Sequence, residues 1–122
     1  MAANIRIVHA HEFIKATPQG RLDFEETKKV LVEIALASGP LGDYEVILDT
    51  RHAQSEMSAT DLWYLAVELS KFRKAFSRKT AVLCPLERFE YAKFFALCAA
   101  NRGFQVSAFT SFGDAMDWLI SA

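Results

Sequence analysis

The chain is poor in cysteine, proline and glycine, with two, three and five in 122 residues. Cys84 and Cys98 make no C-x-x-C pair, and no His/Cys cluster has zinc spacing. That argues against a disulfide-stapled scaffold and a zinc module, and no metal or cofactor is expected. Both thiols sit in apolar contexts, so they read as reduced core residues of a cytoplasmic protein. Neither sign of charge is in excess: the net charge is −1, which offers no global field to nucleic acid or to an acidic membrane. No apolar run approaches the ~20 residues needed to span a bilayer. The opening MAANIRIVHAHEF lacks the apolar stretch of a secretory signal.

What is present is apolar residue, 52% of the chain, including ten phenylalanines. A core of useful size follows without metals or crosslinks. The length predicts one domain over residues 1–122.

Apolar patterning divides the chain into short strands and longer helices. Residues 5–8 and 13–16 read as two strands close enough for a hairpin. Pro18, Gln19 and Gly20 mark a turn. Asp23, with Glu26 three residues on, reads as the cap of a first helix that Ser38, Gly39 and Pro40 end. Residues 44–48 form an apolar, partly β-branched run of the kind an inner strand needs. A polar loop follows, and a second helix is expected from about 58 to 76, because Leu62, Leu65, Ala66, Leu69, Phe72 and Phe76 recur at three- and four-residue steps. Residues 80–84 are the next strand. A third helix starts near Arg88 and stops at Gly103, residues 105–109 form the last strand, and Ser111 or Phe112 opens a last helix to Ile120.

The order is ββαβαβαβα. It predicts an α/β fold with a mixed, mostly parallel sheet, an N-terminal β-hairpin and four helices. Residues 44–48 and 80–84 should be neighbouring buried parallel strands, joined by a right-handed crossover. Trp118 and Leu119 should dock the last helix onto the core.

Three stretches add a family likeness: Gly20-Arg21-Leu22-Asp23-Phe24 before the first helix, Val46-Ile47-Leu48-Asp49, and the tail with Val106 to Phe109, Ala115 and Trp118-Leu119. Together with the element order they resemble the STAS superfamily, and within it the small bacterial SpoIIAA-like (STAS-like) proteins named after an anti-sigma-factor antagonist. The resemblance runs from about Asn4 to Ile120. It implies a regulatory, protein-binding module. In signalling members a serine or threonine after the third strand, at the start of the second helix, is phosphorylated and switches partner binding. The matching residues here are Ser58 and Thr60, in Glu56-Met57-Ser58-Ala59-Thr60-Asp61, although this stretch lacks the family's glycine and interposes Met57 and Ala59.

Each candidate site also has a structural explanation. Ser58-x-x-Asp61 ahead of an apolar helix is a capping box with Asp in place of Glu. Asp49, Arg51 and His52 bring an acid and a base close in sequence. Extended backbone points residues 49 and 51 the same way and 52 the other, which favours an Asp49–Arg51 polar lid over catalysis. No nucleophile elbow is present. His9 and His11 share a strand face by spacing, without further ligands placed for a metal. Lys71, Arg73, Lys74, Arg78 and Lys79 form a basic run, read as a solvated face that suits the negative end of the helix dipole. The third helix has the most unusual pattern. Phe89, Tyr91, Phe94 and Phe95 spread over more than one face, so the surplus should meet a second copy, a protein partner or a pocket ligand.

Three functional readings follow. The first is a non-enzymatic STAS-like binding module acting through the second and third helices, with homodimerisation expected. The second is a carrier or sensor of a small apolar, lipid-like ligand. The third, a small hydrolase or transferase at Asp49 and His52, requires those groups to converge on one cleft.

Overall fold

The computed structural model describes residues 7–10, 13–39 and 44–121, with side chains from residue 13 onward. Five strands form the main sheet: β1 (Ile7–Ala10), β2 (Phe13–Ala16), β4 (Glu45–Asp49), β6 (Thr80–Leu83) and β7 (Val106–Phe109). They lie in the order β1-β2-β4-β6-β7. The β1–β2 pair is antiparallel, and every other pair in this sheet is parallel. The hairpin is therefore present, with its first strand described over Ile7–Ala10; residues 5 and 6 of the expected strand lie outside the described residues. Of the two hairpin histidines, His11 lies outside the described residues, and His9 is described only as backbone within β1.

β4 and β6 are the adjacent inner strands that their apolar runs predict. Val46 pairs with Thr80 and Leu48 with Val82, and both strands are buried along their length. Alternation along β4 divides the interior. Val46 and Leu48 face a large core with α1 (Phe24–Ser38), α2 (Ala59–Leu69) and α3 (Phe89–Ala100). Ile47 faces a smaller one with Ala115 and Leu119 of α4 (Phe112–Ile120). The sheet thus carries helices on both faces.

Local signals set the helix ends. Asp23 accepts the Glu26 N–H at 2.8 Å at the start of α1, and Gly39 takes a positive φ of 68° at its close, which a residue with a side chain adopts only at a cost. Ser111 accepts the Asp114 N–H and starts α4. At the far end of α4, the Lys79 ammonium donates to the carbonyls of Trp118 (2.8 Å) and Ser121 (2.7 Å). Leu119 is buried, as expected. Trp118 is only half-buried, with its indole tilted against Phe109 and under the Lys79 ammonium.

Two features depart from the sequence reading. The turn at Gly20 and the polar loop after Asp49 each contain a three-residue strand, β3 (Gly20–Leu22) and β5 (Ala53–Ser55), paired in parallel as a separate small sheet. Strands this short, with Arg21 and Gln54 at their centres, carry no apolar alternation to betray them. The second helix also stops seven residues early. The chain leaves α geometry at Leu69, makes a 3-10 turn over Ser70–Phe72, and continues as turn. Phe76 still reaches the core from that turn, which is why the apolar spacing overruns the helix.

No helix among the described residues is long and apolar enough to cross a membrane.

Candidate functional site

The carboxyl ends of β4 and β6 open onto one edge of the molecule. In open α/β sheets this is where ligands and partners meet the protein. The Asp49 carboxylate is almost fully buried. It accepts from Arg51 Nε and Nη2, both at 3.0 Å, and from the Arg51 backbone N–H at 3.1 Å, with Lys15 Nζ 3.8 Å away. Burial alone would raise the pKa of this carboxyl. The hydrogen bonds and positive charges outweigh it and hold the group below the usual carboxylate range. The Asp49–Arg51 pair is therefore present, although Arg51 lies in the turn after β4 rather than on extended backbone, and Asp49 spends both oxygens on a structural ion pair. His52 sits exposed in the turn that follows. The acid–histidine convergence that a hydrolase would require is not assembled here.

Beyond that turn, β5 leads to the cap of α2. The Arg21 guanidinium grips the Glu56 carboxylate, with Nη2 to Oε1 at 2.9 Å, and Glu56 N–H donates to Leu22 O at 2.9 Å. The Arg21 hydrogen bonds keep Glu56 below its ordinary pKa. Ser58 then caps α2 in full. Its Oγ accepts the Asp61 N–H and Asp61 Oδ2 accepts the Ser58 N–H, both at 3.1 Å. Ser58 and Thr60 are both solvent-exposed. Thr60 stands three and four residues before Trp63 and Tyr64, so the three share one helix stripe.

That stripe and α3 frame an aromatic surface. Trp63 and Tyr64 pack edge to face at 5.1 Å between ring centres. They are 45% and 53% exposed, and Phe94 and Leu97 of α3 are 37% and 60% exposed. A shallow groove of about 440 Å³ runs between Trp63, Phe94 and Leu97, with the Arg102 guanidinium 5.2 Å above the Trp63 ring.

The four rings read from α3 divide three ways. Tyr91 and Phe94 are exposed. Phe89 is half-buried against the large core beneath Lys93. Phe95 is a correction to its expected outer-face position: it is 5% exposed, in line with Ala92 and Ala99 on the buried stripe, and has no free face to offer a partner. Trp63 and Tyr64 are the residues the sequence reading passed over. Their signal was present, since they fall outside the Leu62–Leu65–Ala66–Leu69 stripe and must point outward.

No protein-family model matches the sequence, and no curated protein matches it. Solved structures match it nearly end to end, among them the following three. An uncharacterized protein of the DUF3478 family with a SpoIIAA-like fold, from Shewanella loihica, superposes with a TM-score of 0.63 at 20% identity, over 97% of this chain and 94% of that one. An anti-sigma factor antagonist from Mycobacterium paratuberculosis gives 0.59 at 13% identity, over 98% and 96%. The anti-sigma factor antagonist SpoIIAA in its unphosphorylated form gives 0.53 at 17% identity, over 99% and 100%. This chain has the SpoIIAA-like (STAS-like) fold. At these identities the likeness concerns the fold alone.

Within this SpoIIAA-like frame the basic run is spent on structure. Lys71 pairs with Glu68 at 3.0 Å, Arg78 with Glu45 at 3.0 Å, and Arg73 donates to Arg102 O at 3.1 Å while covering the Phe104 ring. The thiols are also structural. Cys98 is buried, and Cys84 donates weakly to Phe109 O at 3.6 Å. Burial pushes the Cys84 thiol up, away from the reactive thiolate.

A second candidate lies under the edge. A cleft of about 60 Å³ opens between β4, β6 and the start of α3, with Leu48, Met57, Leu65, Val82 and Ala92 among its walls. Arg88 and Tyr91 stand among its lining residues, the guanidinium carbon 4.0 Å from the ring centre.

Proposed function

We propose that this chain is a non-enzymatic regulatory module that binds protein through the outer faces of α2 and α3. The observation that carries the reading is the run of Trp63, Tyr64, Phe94 and Leu97, four large apolar side chains exposed side by side on two neighbouring helices. Contiguous patches of this kind mark interaction sites on soluble proteins. Aromatic residues are also those on which interface energy concentrates. Two proteins of like fold are described as anti-sigma factor antagonists, one of them in its unphosphorylated form, and regulation by protein contact agrees with that kinship.

A second copy of this chain is one partner for the patch, because a two-fold contact is the commonest way to cover it. Ser58 and Thr60 are the modification candidates. A phosphate on either would meet the positive end of the α2 dipole, and on Thr60 it would stand one turn from Tyr64. Sedimentation at micromolar concentration tests the dimer: Phe94→Glu or Tyr91→Glu should weaken it with circular dichroism unchanged. Affinity capture from the native cell tests the partner. Loss of a captured protein with Trp63→Ala and Phe94→Glu supports the surface, and capture indifferent to both variants overturns it. Loss on Ser58→Asp at unchanged stability adds the phospho-switch.

A second reading, a carrier or sensor of a small apolar ligand, has its own observation in the apolar cleft beneath Arg88. At about 60 Å³ the cleft is far below the ≈300–1,000 Å³ usual for drug-sized ligands, so a long acyl chain does not fit it as it stands. A much smaller molecule does.

A further inference from the structure

We propose that the cleft at the carboxyl edge of β4 and β6 binds a short-chain carboxylate, with its apolar tail inside and its charge on Arg88. The inference rests on the reading of that cleft as a small-ligand site. It adds the chemical class of the ligand, which the walls and the mouth specify separately.

The walls are aliphatic and aromatic, with Leu48, Val82, Leu65 and Phe95 behind Met57. Thr50 is among the lining residues, but its hydroxyl is committed, donating to Leu83 O at 3.0 Å. The interior therefore asks for hydrocarbon. Its size asks for little of it. A dry cavity of 150 Å³ accommodates benzene, so about 60 Å³ corresponds to a tail of roughly two to four carbons.

The mouth asks for an anion. Arg88 has no carboxylate partner among the described residues, while Asp49, Glu45, Glu56 and Glu68 each engage a different cation. Arg88 Nη2 donates to Met57 O at 2.8 Å and to Ser55 Oγ at 3.3 Å, and the guanidinium stacks on Tyr91. These contacts fix the plane of the group. They leave Nε and Nη1 without an acceptor among the described residues. Ser55 Oγ accepts from Arg88, so its own hydroxyl proton is also free to donate. With Nη2 committed, one remaining guanidinium N–H and the Ser55 hydroxyl at the rim of an apolar cleft suit the two oxygens of a carboxylate, each through a charge-assisted hydrogen bond. A neutral ligand of the same size would meet those donors with an uncharged, weaker acceptor.

The test is titration of the whole chain with butyrate and propionate, followed by ¹H–¹⁵N NMR and thermal shift. Butanamide and 1-butanol serve as neutral isosteres, octanoate as an overlong acid and chloride as a bare anion. The proposal expects saturable shifts at Arg88, Ala92 and Val82 with butyrate. Binding should be about tenfold weaker with butanamide, the worth of a charge-assisted hydrogen bond. Octanoate and chloride should not reproduce the pattern. Arg88→Gln should lose the preference for acid over amide, Arg88→Lys should restore part of it, and Ala92→Leu should fill the cleft and abolish binding of both. Because Arg88 also ties α3 to the Ser55–Met57 segment, the acid-to-amide ratio is read rather than affinity alone. Equal binding of butyrate and butanamide would overturn the carboxylate assignment and leave the apolar-ligand reading standing. Binding of none of the probes, or shifts confined to surface residues and shared with chloride, would overturn both.

Discussion

Phe94 and Phe95 are neighbours in sequence with opposite fates, and replacing each by alanine measures whether α3 is oriented as described. Phe95 is 5% exposed and packs in the large core, so truncation removes its burial and leaves a void that close packing fills only in part. The expected loss is about 4 kcal/mol. For 122 residues the unfolding entropy near the midpoint is about 0.26 kcal/mol/K, which converts that loss into a fall in Tm of about 15 °C. Phe94 is 37% exposed on the outer face, and water takes its place without a cavity. Its partial burial is worth about 1–1.5 kcal/mol, or roughly 5 °C. Calorimetry on the two variants reads both numbers directly. Equal falls, or a larger one for Phe94→Ala, would mean that α3 is rotated about its axis, and the outer surface assigned to α2 and α3 would fall with it.

Three further outcomes follow from the geometry. Ser58→Ala should cost about 1 kcal/mol in urea denaturation, and Ser58→Asp should be nearly neutral because aspartate also caps; equal losses for both would remove the capping box. Asp49 is held below its ordinary pKa when folded, so its contribution is fully present above the unfolded value near pH 4 and disappears as pH falls through the lower folded value; in Asp49→Asn, stability at neutral pH should drop by about 2 kcal/mol and its acid dependence should flatten, and an unchanged acid limb would refute the ion pair. Trp118→Ala should cost about 1–2 kcal/mol, since the indole is half-buried rather than enclosed; a loss of 4 kcal/mol would show a tighter α4 contact than the one described.

The parts of the fold legible in the sequence are those whose burial is continuous or strictly periodic. The runs over residues 44–48 and 80–84 announce themselves because inner strands buried on both faces demand apolar residues throughout, and the Leu62–Leu69 stripe because period-3.6 burial demands them at fixed steps. The β3–β5 pair was not legible. Its three-residue strands are held by each other and by the Arg21–Glu56 contact, thirty-five residues apart in sequence, so no local signal exists. The overlong second helix has the opposite cause: Phe72 and Phe76 keep helical spacing while the backbone has already turned. At the candidate sites, the Ser58 cap and the Asp49–Arg51 pair were readable because both are contacts within three residues. The cleft was not, because its walls come from seven separate strands and α-helices and its mouth joins Arg88 to Ser55 and Met57 across more than thirty residues.

The central claim is that the outer faces of α2 and α3 meet a protein. The most direct measurement is site-specific photocrosslinking in the native cell, with benzoylphenylalanine placed at position 94 or 64, and at position 36 as a control. Leu36 is also apolar and is 71% exposed, but lies on α1 and not on α2 or α3. A discrete adduct from positions 94 and 64, absent from position 36, is the predicted result, whether the captured protein is a second copy or a different chain. Adducts from all three positions alike, or from position 36 alone, would contradict it.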